Sequence, residues 1–215
     1  MSSTRFSKSS LVAILLAVFM LASFSAGAAN LNVAGGQLMG ATGVIVDGSS
    51  YNVAFLDGTC IALYDGCDDA SDFTFQTAAA ATLASQALLD QVFLDGIGLF
   101  DSNPALTNGL THANTGSALT PYYALFDDQG VAAVRLSMAV NLSVAGWGGE
   151  TVDWVLPGGS YGYAHIADSS GVPGPVPATN VYAVWSIVPE PGTASLLGFG
   201  LAALAVKGRR RHPLS

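Results

Sequence analysis

Length, composition and charge limit what this chain can be. Its 215 residues suffice for one domain plus processing segments, and a chain that is 51% hydrophobic and only 10% charged is too apolar to be disordered. All fifteen acidic residues lie between Asp47 and Glu190, where Arg135 is the only Lys or Arg. Such an acidic region repels phosphate groups, so nucleic acid is excluded as a partner.

The first 29 residues have the layout of a secretory signal peptide. Arg5 and Lys8 form a positive region, an apolar run follows over 11–24, and small residues lead to Ala29. The apolar run is shorter than the ~20 residues that a membrane-spanning helix needs, which favours a cleaved signal over a permanent anchor. The sequence therefore predicts an exported chain whose mature part begins near Asn30.

Residues 30–187 form the predicted exported domain, and its first part indicates a β-hairpin. Apolar runs over 43–46 and 51–56 flank the segment Asp47-Gly48-Ser49-Ser50. An Asp-Gly pair between two alternating runs is a strong signal for a tight hairpin turn.

The next segment contains the two cysteines of the chain, Cys60 and Cys67. In an oxidising compartment two nearby cysteines normally pair, so we predict a structural disulfide. Closing a loop this short stabilises the fold by about 2.5 kcal/mol on the chain-entropy estimate.

Acidic side chains crowd around the same loop. Oxygen-rich clusters can hold Ca²⁺, the one cofactor that the sequence suggests. The EF-hand pattern is absent, and Asp-Gly pairs also form solvated turns, so both interpretations stay open. The candidate calcium ligands are Asp65, Asp68, Asp69 and Asp72.

An alanine-rich segment over 77–95 predicts the main helix. Thr77 can cap its start and Gly96 can close its end. The apolar positions form one broad face, as expected for an amphipathic helix, although Ser85 falls outside the pattern. That face comprises Ala81, Ala84, Leu88, Leu89, Val92 and Phe93.

The remaining elements are predicted strands over 121–126, 131–145, 151–156 and 181–187, with a Gly/Pro/Ser-rich loop over 157–177. The second of these alternates with period two, which indicates a long strand with one buried face. The predicted fold class is α+β, an antiparallel sheet with one packed amphipathic helix. A β-sandwich with a helical insertion is the alternative.

Candidate reactive and binding groups are few. We expect Arg135 to pair with Asp128 or Asp153, and His112 and His165 stand alone. Three tryptophans and several tyrosines lie late in the chain and could stack on sugar rings, with Tyr161 and Tyr163 the better surface candidates and Trp154 and Trp185 expected in the core. No catalytic motif occurs, so we predict no enzymatic activity. A secreted hydrolase using Glu150 or Asp153 is an alternative, since acid pairs have no local motif.

The C-terminal segment, 188–215, has three parts. Val188, Pro189, Glu190 and Pro191 are followed by an apolar run over 192–206, a predicted short transmembrane helix, and by Lys207, Arg209, Arg210 and Arg211. As a helix the run covers about 22 Å, less than the ~30 Å hydrocarbon core, so it is a marginal span. The basic cluster would hold the C-terminus in the cytoplasm, and the prolines keep the preceding segment extended.

These three parts, in this order behind a signal peptide, resemble the PEP-CTERM sorting signal. Residues 36–60 and 63–75 are also similar to the N-terminal halves of other PEP-CTERM proteins, which implies no activity. The resemblance implies a Gram-negative bacterium with an extracellular polysaccharide system. It also implies that this chain is the substrate of an exosortase, a membrane cysteine protease or transpeptidase. A plain anchor that nothing cleaves is the alternative.

The expected protein is therefore exported through the inner membrane, anchored in it until processing, and placed in the cell envelope, on the cell surface or outside the cell. We expect a structural or interaction role linked to exopolysaccharide or biofilm. A calcium- or carbohydrate-binding adhesin module is the alternative to that role, beside the hydrolase.

Overall fold

Seven strands and two helices account for most of the residues that the computed structural model describes, 28–126, 132–143, 152–159 and 179–189. Short 3₁₀ turns lie at Ala70–Asp72 and Pro104–Leu106. The strands are β1 (Asn30–Ala34), β2 (Gln37–Val46), β3 (Ser49–Leu56), β4 (Thr115–Phe126), β5 (Ala132–Leu142), β6 (Trp154–Gly159) and β7 (Asn180–Ile187), and the helices are α1 (Cys60–Leu63) and α2 (Ala78–Gln91).

All seven strands belong to one sheet, in the order β1-β2-β3-β7-β4-β5-β6. The expected sheet with a packed helix is present, but the expectation of a purely antiparallel sheet is wrong, because β7 and β4 run parallel. The last strand enters the middle of the sheet between β3 and β4, and period-two alternation does not reveal which strands become neighbours. The short helix α1 was not expected, and the single sheet differs from the sandwich alternative.

The predicted hairpin is confirmed. Asp47 and Gly48 have φ angles of 48° and 79°, as in the type I′ turn that matches strand twist, and they join β2 to β3. β2 begins earlier than expected, at Gln37, and pairs with β1, which the sequence analysis missed. β1 starts at Asn30, the first residue of the predicted mature chain.

Helix α2 starts as predicted and ends earlier. The Thr77 hydroxyl oxygen accepts a hydrogen bond from the Ala80 N–H at 3.2 Å. The helix ends at Gln91, not near Gly96, because Val92 leaves helical geometry and is buried together with Phe93. Ser85 is fully buried on the packed face, where its small size lets the helix lie close to the sheet. Buried positions of the helix are Ala81, Ala84, Ser85, Ala87 and Leu88.

Both faces of the sheet are covered, which corrects the expectation for β5. Val134 and Leu136 face one core, which includes Cys60, Cys67 and Phe73. The opposite side of β5 was expected to be exposed, yet Ser137, Ala139 and Asn141 are buried there beneath α2 and the loop that follows it. In the sequence, Ser137, Ala139 and Asn141 look like an exposed face because they are small or polar. Side chains of this size nevertheless fit beneath a closely packed helix.

Gln91, at the end of α2, completes the edge of β2. Its Nε2 donates to the Ile45 carbonyl at 2.8 Å, and its Oε1 accepts from the Ile45 N–H at 2.9 Å. β1 pairs with β2 only as far as Thr42, so this amide takes the place of a strand at Ile45. The contact joins the helix to the sheet over 46 residues of sequence.

Replacing Gln91 with alanine should lower the free energy of unfolding by about 2 kcal/mol, because it leaves both Ile45 backbone groups without partners. Chemical denaturation of the purified domain measures the change. Gln86→Ala is the matched control, since this exposed glutamine of the same helix bonds the side chain of the exposed Asp90, and its loss should change stability by less than about 0.5 kcal/mol. Equal effects of the two substitutions would contradict the role of Gln91.

Candidate functional site

The end of β7 is the point where the folded domain meets the predicted sorting signal. Trp185 anchors this strand: its side chain is 6% exposed, and its indole N–H donates to the Thr120 hydroxyl at 3.2 Å. Its ring also lies against those of Tyr51 and Phe75, with centroids 6.3 and 5.4 Å away. Tertiary contacts therefore hold the chain firmly up to Trp185.

Beyond Trp185 the chain is held mainly by backbone pairing with β3. Ser186 is exposed, and Ile187, which lies opposite Tyr51, is 66% exposed. The Val188 N–H donates to the Ser50 carbonyl at 3.0 Å, and Pro189 is exposed and has no N–H to donate. Among the described residues, the last backbone bond between this segment and β3 is thus made by Val188, the first residue of the predicted sorting signal.

Comparison with known families identifies this signal. Residues 188–211 match the family model of the PEP-CTERM protein-sorting motif. The chain is therefore a protein with a PEP-CTERM sorting motif, exported to the cell envelope or surface and targeted to exosortase, as the sequence resemblance implied. No curated protein and no solved structure matches the chain.

Parts of the predicted signal lie outside the described residues. These are Glu190, Pro191, the predicted helix 192–206 and the basic residues Lys207, Arg209, Arg210 and Arg211; the signal peptide, apart from residues 28 and 29, also lies outside. Within the described part of the chain, no helix is both long and apolar enough to cross a membrane.

The predicted disulfide is present between Cys60 and Cys67, whose Cα atoms are 5.7 Å apart. Both cysteines are buried against the sheet, and Thr59 caps α1 by accepting a hydrogen bond from the Ala62 N–H. The bridge closes a segment that lies over β7 and β4 on the face opposite α2.

Two hydroxyl groups that the sequence analysis missed brace β7, one from Tyr64 inside the disulfide loop and one from Thr74 beyond it. The Tyr64 hydroxyl donates to the Ala183 carbonyl at 3.3 Å, and the Thr74 hydroxyl donates to the Trp185 carbonyl at 2.6 Å. Burial, with a smaller effect from Tyr182, raises the pKa of Tyr64 above its usual range, so this hydroxyl keeps its proton. These contacts join residues more than a hundred positions apart, and no local pattern signals them.

The four predicted calcium ligands lie in the segment between α1 and α2. Two of them hold a turn: the Asp69 carboxylate accepts from the Ser71 N–H, and the Asp72 carboxylate accepts from the N–H groups of Asp68 and Asp69. Across the described ranges, no three acidic, cysteine or histidine side chains lie close enough to hold a metal ion. Calcium binding by Asp65, Asp68, Asp69 and Asp72 stays a prediction, and thermal unfolding with calcium or with a chelator tests it.

A pair of carboxyl groups lies at the other end of the sheet. Asp153, just before β6, accepts a hydrogen bond from the Leu142 N–H at 2.7 Å, and its side chain bonds that of Asp101. Burial raises the pKa of Asp153 to about 6, the Leu142 bond opposes this shift, and the negative charge of Asp101 adds to it. Asp101 was not among the candidate residues, because it lies in a loop distant from Asp153 in sequence.

Asp153→Asn should stabilise the protein above pH 6 and have little effect near pH 4. A carboxyl whose pKa is raised on folding favours the fold while protonated, and this contribution is lost as the pH rises through about 6. Asparagine keeps the oxygen that accepts from Leu142, so we expect a gain of about 1 kcal/mol at pH 8, after allowing for solvent screening.

Unfolding measured at pH 4 and pH 8 checks this prediction. Asp90→Asn, which removes the same charge from an exposed helix position, is the control and should leave stability nearly unchanged at both pH values. A gain for Asp153→Asn that is equal at the two pH values would contradict the assignment.

The other candidate residues are dispersed. Arg135 cannot pair with Asp153, because Asp153 contacts Leu142, about 23 Å further along β5. Trp185 is in the core as expected, whereas Trp154 is 40% exposed, so its core assignment is wrong: it lies on β6, the edge strand of the sheet that the described residues form. His112 accepts from the Asn114 N–H. Outside the described residues lie Asp128, Trp147, Glu150, Tyr161, Tyr163 and His165.

Proposed function

We propose that this chain is a surface or extracellular-matrix protein of a Gram-negative bacterium. Exosortase removes its C-terminal anchor, and the exported domain has a structural or interaction role linked to exopolysaccharide rather than a catalytic one. The observation that carries the proposal is the junction at Val188, where the PEP-CTERM motif follows a central strand directly.

The construction of the domain supports a structural role outside the cell. A buried disulfide and a brace of hydroxyl groups hold the strand that leads to the motif. Carboxylates hold loops: Asp95 accepts hydrogen bonds from the N–H groups of Asp101 and Ser102 and from the Ser102 hydroxyl. These groups bond within the chain and so stabilise the domain. We therefore favour a stable module whose surface binds other molecules.

The test is the intact mass of the protein purified from the envelope and from the medium, with exosortase present or deleted. With the enzyme present, we expect an N-terminus near Asn30 and a C-terminus near the Pro-Glu-Pro segment. Deletion of the enzyme should leave the basic tail in place. Extra mass at the new C-terminus would identify an attached glycan or lipid.

Glu190→Gln should reduce this processing strongly, because it changes the only charged residue of the recognition tripeptide. Glu150→Gln is the matched control, since these are the only two glutamates of the chain. A wild-type protein that still carries Arg209, Arg210 and Arg211 would overturn the processing claim. A processed protein that stays in the matrix until the exopolysaccharide is digested would support the interaction role, and retention after digestion would contradict it.

A further inference from the structure

The sorting motif and the folded sheet share a residue. Val188 is the first position of the family match, and its N–H is still bonded to the Ser50 carbonyl. Only residues 189–191 separate it from the predicted membrane helix that begins at 192, and three residues span at most about 10 Å. By residue count, the sequence therefore allows only a short connection between the end of the sheet and the predicted membrane helix.

This arrangement conflicts with binding in a protease cleft. A protein that binds an extended peptide commonly does so through the peptide's backbone N–H and C=O groups, with pockets for alternate side chains. The N–H of Val188 cannot be bonded to Ser50 and to an enzyme at the same time.

Detaching residues 186–188 from the sheet costs little free energy, whereas detaching Trp185 costs much more. Ser186 and Ile187 are exposed, so peeling residues 186–188 from β3 breaks a few backbone hydrogen bonds and uncovers little apolar surface. Trp185 is buried among aromatic rings, and Thr74 and Thr120 bond its carbonyl and its indole. Detachment of the strand end therefore stops at Trp185.

We propose that residues 186–188 form a releasable strap, which detaches from residues 50–52 of β3 when exosortase binds the motif. Trp185 stays in place and holds the domain folded. Release lengthens the free segment to residues 186–191, which can span about 20 Å, enough for an extended peptide in a cleft. The strap depends on the exosortase processing proposed above and describes how that site becomes accessible.

The test is to cross-link the strap to β3 by a disulfide in the full-length chain. Ser50 and Val188 lie opposite each other, continuing the pairing of Tyr51 with Ile187, and hydrogen-bonded pairs of this kind have Cα atoms ~5.5 Å apart, within reach of a disulfide. The variant Ser50→Cys/Val188→Cys is expressed beside exosortase. Peptide mapping verifies its new bridge and the native one.

We expect cleavage of the bridged variant to slow by about tenfold or more, because the fraction of chains with a released strap falls. Ser50→Cys alone is a control and should be cleaved at the wild-type rate. Val188→Cys alone gives the rate against which the bridged variant is compared, because Val188 belongs to the motif itself. Inserting Gly-Ser-Gly-Ser between Val188 and Pro189 of the bridged variant should restore cleavage, because it supplies free length beyond the bridge.

The outcomes separate the strap from the processing itself. A bridged variant cleaved at the rate of Val188→Cys alone would overturn the strap while the processing stands. A bridged variant that the insertion fails to restore would also overturn it, since the defect would then not be one of free length. A wild-type chain that is never cleaved would overturn both.

Discussion

Gly40→Ala is expected to destabilise the domain by about 3 kcal/mol or more, because the position has no room for a side chain. Gly40 lies in β2 between β1 and β3, opposite Asn32 and Ala54. A Cβ atom added there would collide with the backbone carbonyl oxygen of Val53 and touch the Ala54 backbone. Backbone atoms in a paired ladder cannot move aside without breaking their hydrogen bonds, so the strands would have to separate.

Chemical denaturation of the purified domain measures this effect. Gly96→Ala is the control, because nothing lies within 4 Å of a Cβ at this exposed loop position, and it should change stability by less than about 0.5 kcal/mol. If Gly40→Ala were as mild as Gly96→Ala, the close approach of β2 and β3 would be incorrect.

Removing the disulfide is the second large effect. Cys60→Ala/Cys67→Ala should lower the free energy of unfolding by about 2.5 kcal/mol from loop closure. The loss should be most severe at β7, since the Tyr64 hydroxyl that bonds this strand lies inside the loop that the bridge closes. Hydrogen exchange of the β7 amides, compared with those of β5, shows whether the brace is loosened.

A reductant provides the internal control. It should lower the melting temperature of the wild type and leave the double-alanine variant unchanged, because the chain has only these two cysteines. A reductant that has no effect on the folded wild type at any temperature would contradict the stabilising role of the bridge.

Much of the local structure could be predicted because its causes are local. Asp47 and Gly48 determine their own turn through positive φ angles, and Thr77 caps the helix that follows it. The pairing of Cys60 with Cys67 follows from proximity and an oxidising compartment. The sorting motif is likewise a contiguous segment, so its family could be identified before any fold was known.

The errors concern contacts between distant parts of the chain. Alternation showed that β7 is a strand, but its place between β3 and β4 depends on what covers each face. The buried polar side of β5 became evident only with α2 packed over it.

The candidate site also has one part that the local sequence determines and one part that contacts between distant residues determine. A signal read residue by residue along the chain was sufficient to recognise an exported protein targeted to exosortase, because an enzyme that binds an extended segment reads contiguous residues too. How that segment is presented depends on Ser50, Thr74 and Thr120, which lie far from Val188 in sequence and meet β7 only in the folded sheet. Backbone hydrogen bonds carry no residue identity, so the bond between Val188 and Ser50 could be found only in the tertiary structure.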